Sequence, residues 1–117
     1  MFSLFKHWRR YRLQKEILAS LDALKANHSD EQLPEFLAEV SILLRRVAMM
    51  NFPPQQVAAL TGKGWLSFLD LHGGDGAYSN GVGSVLATGP YASSSALNVD
   101  REALLSLTKK WIKRNTH

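Results

Sequence analysis

The chain has 117 residues, 45% of them hydrophobic and 21% charged, with a formal net charge of +4. This size and composition suit one globular domain and argue against a two-domain enzyme or a disordered chain. No apolar run approaches the roughly 18 residues that a membrane-spanning helix needs. The absence of cysteine excludes disulfides, thiolate metal sites and thiol catalysis. Without a secretion signal, we expect a cytosolic setting and a chain that is soluble as given.

The charge is distributed unevenly along the chain. Residues 1–15 hold five cations and no acid, and residues 109–117 hold four cations and no acid. The part between these ends therefore carries a net charge of −5. An acidic body with two basic ends favours a single protein surface that contacts an anionic planar surface or an anionic partner. The alternative is that both runs are solvated helix ends, since the macrodipole favours cations in the last turn of a helix.

A first helix is predicted from Leu4 to Ala26, because apolar residues recur at spacings of three, four and seven. Its first half mixes aromatic residues with cations, a combination typical of the cytoplasmic side of a membrane–water interface. The alternative is an aromatic stripe that packs onto the domain. We interpret residues 1–15 as a basic aromatic membrane flank that continues into this helix, and residues 16–117 as a single helical domain. The candidate membrane or partner contacts are Lys6, Trp8, Arg9, Arg10, Tyr11, Arg12 and Lys15.

The central helix is predicted to begin near Pro34. Ser29 and Gln32 have the spacing of a capping box, so a short helical turn precedes it. Pro34 is tolerated only in a first turn, which places the start of the main helix there. A broad apolar stripe then runs from Phe36 to Met50.

Two short helices are predicted next, over residues 55–60 and 64–71, with Gly62 as a C-cap between them. Their spacing resembles a helix-turn-helix, which makes a nucleic-acid-binding domain the alternative function. A recognition helix needs polar or basic side chains, whereas this one presents Trp65, Leu66 and Leu69. Burying such side chains stabilises by roughly 2 kcal/mol each. We therefore expect the pair to pack inward, without sequence-specific nucleic-acid binding.

The last third of the chain combines a loop and a helix. Six glycines between residues 73 and 90 predict a loop with at most one helical turn, at residues 82–87. Asn98 is the expected N-cap of the last helix. With no strand pattern, the fold class is all-α, a small bundle of four to five helices with one glycine-rich loop. The expected core contains Leu21, Phe36, Val40, Leu43, Val47, Leu60, Trp65, Phe68, Leu104, Leu107 and Trp111.

Catalytic and cofactor signatures are missing from the sequence. It has neither of the common glycine-rich phosphate motifs, and its four histidines lack the spacing of a zinc site. His72 lies between Asp70 and Asp75, which could form a proton relay, but a histidine beside a glycine turn is typical of a solvated helix end. We expect no enzymatic activity, no metal and no cofactor.

Three strings together resemble a known family: LLRRVAMMNFPPQQVAALTGKGWLSFLD at 43–70, GPY at 89–91 and KKWIKR at 109–114. They are similar to an uncharacterised bacterial family of short single-pass inner-membrane proteins, encoded beside MoxR-type AAA+ ATPases and von Willebrand factor A-domain proteins. The resemblance implies a small helical domain on the cytoplasmic face of the inner membrane, acting as a non-enzymatic adaptor or accessory component of such an ATPase system. It transfers no catalytic residue. The apolar spanning helix of that family has no counterpart here, so this chain resembles the cytoplasmic domain, beginning at the flank of that helix.

Overall fold

The computed structural model describes residues 2–116, except for the side chains of residues 2–7 and 96. Within this part the fold is all-α, as predicted, with five α-helices and no strand. The helices are α1 (Phe2–Asn27), α2 (Leu33–Asn51), α3 (Pro54–Ala58), α4 (Gly62–Leu69) and α5 (Arg101–Arg114). A π-helical segment, Asp70–Gly74, continues α4, and 3-10 turns follow at Val82–Leu86, Gly89–Tyr91 and Ser94–Ala96.

The central helix forms as the sequence indicates. Pro34 lies in the first turn of α2, and the Ser29 N–H donates to Oε1 of Gln32 at 3.1 Å just before it. Nine of the eleven expected core residues are buried, while Leu60 and Leu107 are half-buried against the core. Met50, at the end of the predicted stripe, is exposed. The next residue, Asn51, contacts the end of α5, because its side-chain amide donates to the carbonyl of Asn115.

The helix pair α3 and α4 packs inward, which confirms the expectation for this segment. Val57 of α3 is buried, as are the four apolar side chains of α4, Trp65, Leu66, Phe68 and Leu69. Gly62 adopts the expected left-handed conformation, but it is not the expected C-cap. It has a φ of +50° and is the first residue of α4, so the helix begins two residues earlier than predicted.

The glycine-rich loop is organised around the buried ring of Tyr78. A Cβ on Gly74 would lie 2.5 Å from Cδ2 of this ring, and a Cβ on Gly83 would lie 2.4 Å from Cδ1. Because these glycines have no side chain, the backbone can pack directly on the ring. The loop also has more helical turns than the single one expected. The predicted cap at Asn98 was also wrong, because the carboxylate of Asp100 accepts the N–H of Ala103 at 3.0 Å.

Candidate functional site

The antiparallel packing of α1 against α5 brings the two basic ends of the chain to one end of the molecule. Nε2 of Gln14 donates to the hydroxyl of Thr116 at 2.8 Å, and Lys109 contacts Asp22 at 2.7 Å. The last turns of α5 thus lie beside the middle of α1. We call the resulting surface the basic pole. It comprises Trp8, Arg9, Arg10, Tyr11, Arg12, Lys15, Lys110 and Lys113.

Aromatic rings are exposed among the cations of the basic pole. Trp8 is 54% exposed and Tyr11 is 57% exposed, so more than half of each side chain is accessible to solvent. The Arg12 guanidinium lies 5.2 Å from the centroid of the Trp8 ring, and the Lys15 ammonium lies 5.4 Å from that of Tyr11. In the described part, the first fully buried residue of α1 is Ile17, and Leu13 is partly buried against the core. The first half of α1 therefore presents amphipathic rings and cations to the surroundings.

The structure brings six of the seven predicted contact residues together on this half of α1. The side chain of the seventh, Lys6, lies outside the described residues. Four cations of the described residues are paired with acids: Lys25 with Glu102, Arg101 with Asp30, Lys109 with Asp22 and Arg114 with Asp75. Lys109 and Arg114 belong to the C-terminal basic run, so this run contributes Lys110 and Lys113 to the basic pole.

The possible proton relay around His72 is not assembled. The His72 ring lies 4.2 Å from the ring of Phe52 and 4.5 Å from that of Phe68, centroid to centroid. His72 is therefore half-buried, whereas the sequence predicts a solvated helix end. The Asp70 carboxylate accepts the N–H groups of Tyr78 and Ser79, both at 2.9 Å. Burial opposes the charged form of this carboxylate, but its hydrogen bonds outweigh that effect and hold the pKa of Asp70 below its ordinary value. Among the described residues, no cluster of three acidic or histidine side chains could hold a metal ion.

Sequence reasoning missed a second feature, centred on Arg45. Its guanidinium donates to the carbonyls of Val57 at 2.9 Å and Leu60 at 2.6 Å, and lies 4.3 Å from the centroid of the Trp65 ring. The Trp65 indole N–H donates to the hydroxyl of Ser41 at 3.1 Å. No local pattern indicates this arrangement, because the partners of Arg45 lie 12, 15 and 20 positions further along the chain.

None of the helices in the described residues has the length and apolar character to cross a bilayer.

The comparisons with known proteins identify a family. No curated protein and no solved structure matches the chain. The model of a family described as a domain of unknown function, DUF4381, matches residues 1–114. The chain therefore belongs to the DUF4381 family.

Proposed function

We propose that the protein is a non-enzymatic, membrane-proximal adaptor or accessory domain whose basic pole contacts the anionic cytoplasmic face of a bacterial inner membrane. One observation carries this proposal. Thr116, just after α5, is hydrogen-bonded to Gln14 on the half of α1 that holds the exposed Trp8 and Tyr11, so the two basic runs lie at one end of the protein.

The physical basis is the combination of charge and amphipathic rings. Each cation near an anionic bilayer contributes about 1 kcal/mol, and this attraction decays within a Debye length. Exposed Trp and Tyr side chains add affinity by entering the interface. The proposed partners of the adaptor are AAA+ ATPases of the MoxR type or von Willebrand A-domain proteins, which follow from the resemblance of the three sequence strings.

Nucleic-acid binding is the alternative, and the position of α4 argues against it. The side chains that a recognition helix would place in a DNA groove, Trp65, Leu66 and Leu69, lie in the core instead. We expect only weak, non-specific binding to duplex DNA that is lost near physiological salt. Sequence-selective gel shifts at about 150 mM salt would restore the alternative.

Vesicle co-sedimentation tests the membrane proposal. The chain should pellet with vesicles that contain phosphatidylglycerol and stay in solution with pure phosphatidylcholine. Replacing Arg10→Glu and Arg12→Glu together should abolish pelleting without unfolding the domain, since both side chains are exposed. The matched control is Arg46→Glu with Lys63→Glu, two exposed cations outside the pole that give the same change of net charge. If both double variants lost vesicle binding equally, the change of net charge alone would explain the loss, and this result would contradict the proposal.

A further inference from the structure

A groove lies between α2 and α4 and is closed by the Gly89–Tyr91 turn. It has a volume of about 240 Å³. Pockets for drug-sized molecules or cofactors usually span roughly 300–1,000 Å³, so this groove suits one or two side chains of a protein segment. The residues that determine its chemistry are Ser41, Ile42, Arg45, Thr61, Trp65 and Tyr91.

Arg45 gives the groove its charge. Among the described residues that line the groove, it alone carries a formal charge, and it has no ion-pair partner in the described part of the chain. Two of its five N–H donors point to backbone carbonyls, which are neutral acceptors. Burial lowers the pKa of Arg45 from its ordinary value. A partly buried guanidinium without a counter-charge favours an incoming carboxylate, with which it can form charge-assisted hydrogen bonds.

Two exposed side chains that line the groove, Ile42 and Tyr91, present apolar surface at its rim, and backbone contacts fix the turn that carries Tyr91. Ile42, on α2, is 49% exposed, and Tyr91, in the Gly89–Tyr91 turn, is 90% exposed; both line the groove. The Tyr91 N–H donates to the carbonyl of Thr88 at 3.0 Å. Gly89 packs so closely on α2 that a Cβ there would lie 2.4 Å from Cδ1 of Leu37. A fixed backbone that presents an exposed tyrosine is typical of an interface anchor, because little conformational freedom is lost on binding.

We propose that this groove binds a segment of a protein partner in which an Asp or Glu side chain pairs with Arg45 and an adjacent apolar side chain packs on Ile42 and Tyr91. Charge complementarity selects the acidic residue, and the apolar rim selects its neighbour. The inference rests on the proposed function in one respect, because the groove supplies the second binding surface that an adaptor needs. The groove and the basic pole share no residue, so each can fail independently.

The probes are short synthetic peptides in which one Asp follows Leu, Phe or Pro, each with a matched peptide that carries Asn instead. Binding is followed by the indole N–H resonances of the isotope-labelled protein. The Trp65 indole, which faces Ser41 in the groove, should shift with at least one Asp peptide. The Trp111 indole, which donates to the Leu69 carbonyl in the core, is the internal control and should stay unchanged. The matched Asn peptide should bind roughly ten-fold more weakly, which corresponds to about 1.4 kcal/mol.

Two pairs of variants make the test specific. Arg45→Gln should remove the preference for Asp, whereas Arg46→Gln, at an exposed neighbouring position, should retain it. Tyr91→Ala should weaken binding several-fold, whereas Leu71→Ala, another exposed apolar position, should not. Because Tyr91 is exposed, its variant keeps the test valid even if Arg45→Gln destabilises the fold. The proposal is overturned if no Asp peptide shifts Trp65, if Asp and Asn peptides bind equally, or if short-chain phosphatidylglycerol shifts Trp65 more strongly than any peptide.

Discussion

Gln14 and Thr116 are hydrogen-bonded to each other although 102 positions separate them in the chain. The Thr116 hydroxyl accepts from Gln14 and donates to the carbonyl of Ile112 at 2.6 Å. The Thr116 side chain is buried, so its bond to Ile112 is shielded from water and its bond to the half-buried Gln14 is partly shielded. This contact joins the segment just after α5 to α1 and so helps to hold the two basic ends at one end of the protein.

Replacing Thr116→Val should lower the free energy of unfolding by about 1–2 kcal/mol, because it removes a buried hydroxyl and leaves the Gln14 amide without its acceptor. Urea denaturation followed by circular dichroism measures the effect. Ser20→Ala is the control, since the exposed Ser20 hydroxyl donates only to the Glu16 carbonyl of its own helix. Equal stability of the Thr116 variant and the control would mean that the contact with α1 contributes nothing.

Trp65→Ala and Trp111→Ala should each destabilise the fold by about 3–5 kcal/mol, as truncations of large core aromatics do. Both indoles are buried and donate hydrogen bonds, to Ser41 and to the Leu69 carbonyl. Trp8→Ala should change stability little, because Trp8 is more than half exposed. Thermal unfolding of the three variants gives the comparison. An unchanged melting temperature for either core variant would contradict the core role of that tryptophan.

Gly83→Ala should destabilise the protein by about 1–3 kcal/mol, because the new Cβ would overlap the ring of Tyr78. Gly64→Ala provides a control of opposite sign. It lies within α4, and its Cβ would meet Cδ2 of Leu60 at an ordinary 3.8 Å. Alanine there should stabilise by about 0.4–1 kcal/mol. Chemical denaturation should therefore give a lower free energy of unfolding for Gly83→Ala and a higher one for Gly64→Ala. An unchanged free energy of unfolding for Gly83→Ala would show that the loop is not packed on Tyr78.

The sequence predicts the helices well because their signals are local. The apolar period of α2 and the position of Pro34 depend only on neighbouring residues, and both predictions are confirmed. The N-cap of α5 was placed two residues too early, because Asn98 and Asp100 are both good caps and only the backbone decides which side chain reaches an N–H.

The organisation of the candidate sites could not be predicted in the same way. The two basic runs are visible in the sequence, but their meeting depends on the antiparallel packing of α1 and α5. A high glycine content suggests a loose loop, and nothing local indicates that Gly74 and Gly83 contact one ring. The surroundings of Arg45 likewise arise from three separate segments of the chain.

Asp70→Asn should destabilise the protein at neutral pH and lose this effect in acid. The folded state lowers the pKa of Asp70, so its contribution is complete above the unfolded value of about 3.9 and disappears as the pH falls through the folded value. The difference in unfolding free energy between wild type and variant should be constant near pH 7 and shrink below about pH 4. Urea titrations across this range measure it. Asp22→Asn, in an exposed ion pair, serves as the control with a small effect. A difference that did not change with pH would exclude the ionised carboxylate as its cause.

Quenching of Trp8 fluorescence by brominated lipids tests membrane contact by the basic pole most directly. Trp65 and Trp111 are buried, so a quencher in the bilayer should reach only the exposed Trp8. With brominated vesicles containing phosphatidylglycerol, we expect quenching that declines as salt is raised and is absent in Trp8→Phe. Brominated phosphatidylcholine alone should have no effect. If emission from the wild type and from Trp8→Phe were quenched equally, or not at all, on anionic vesicles at low salt, the basic pole would not be a membrane-binding surface.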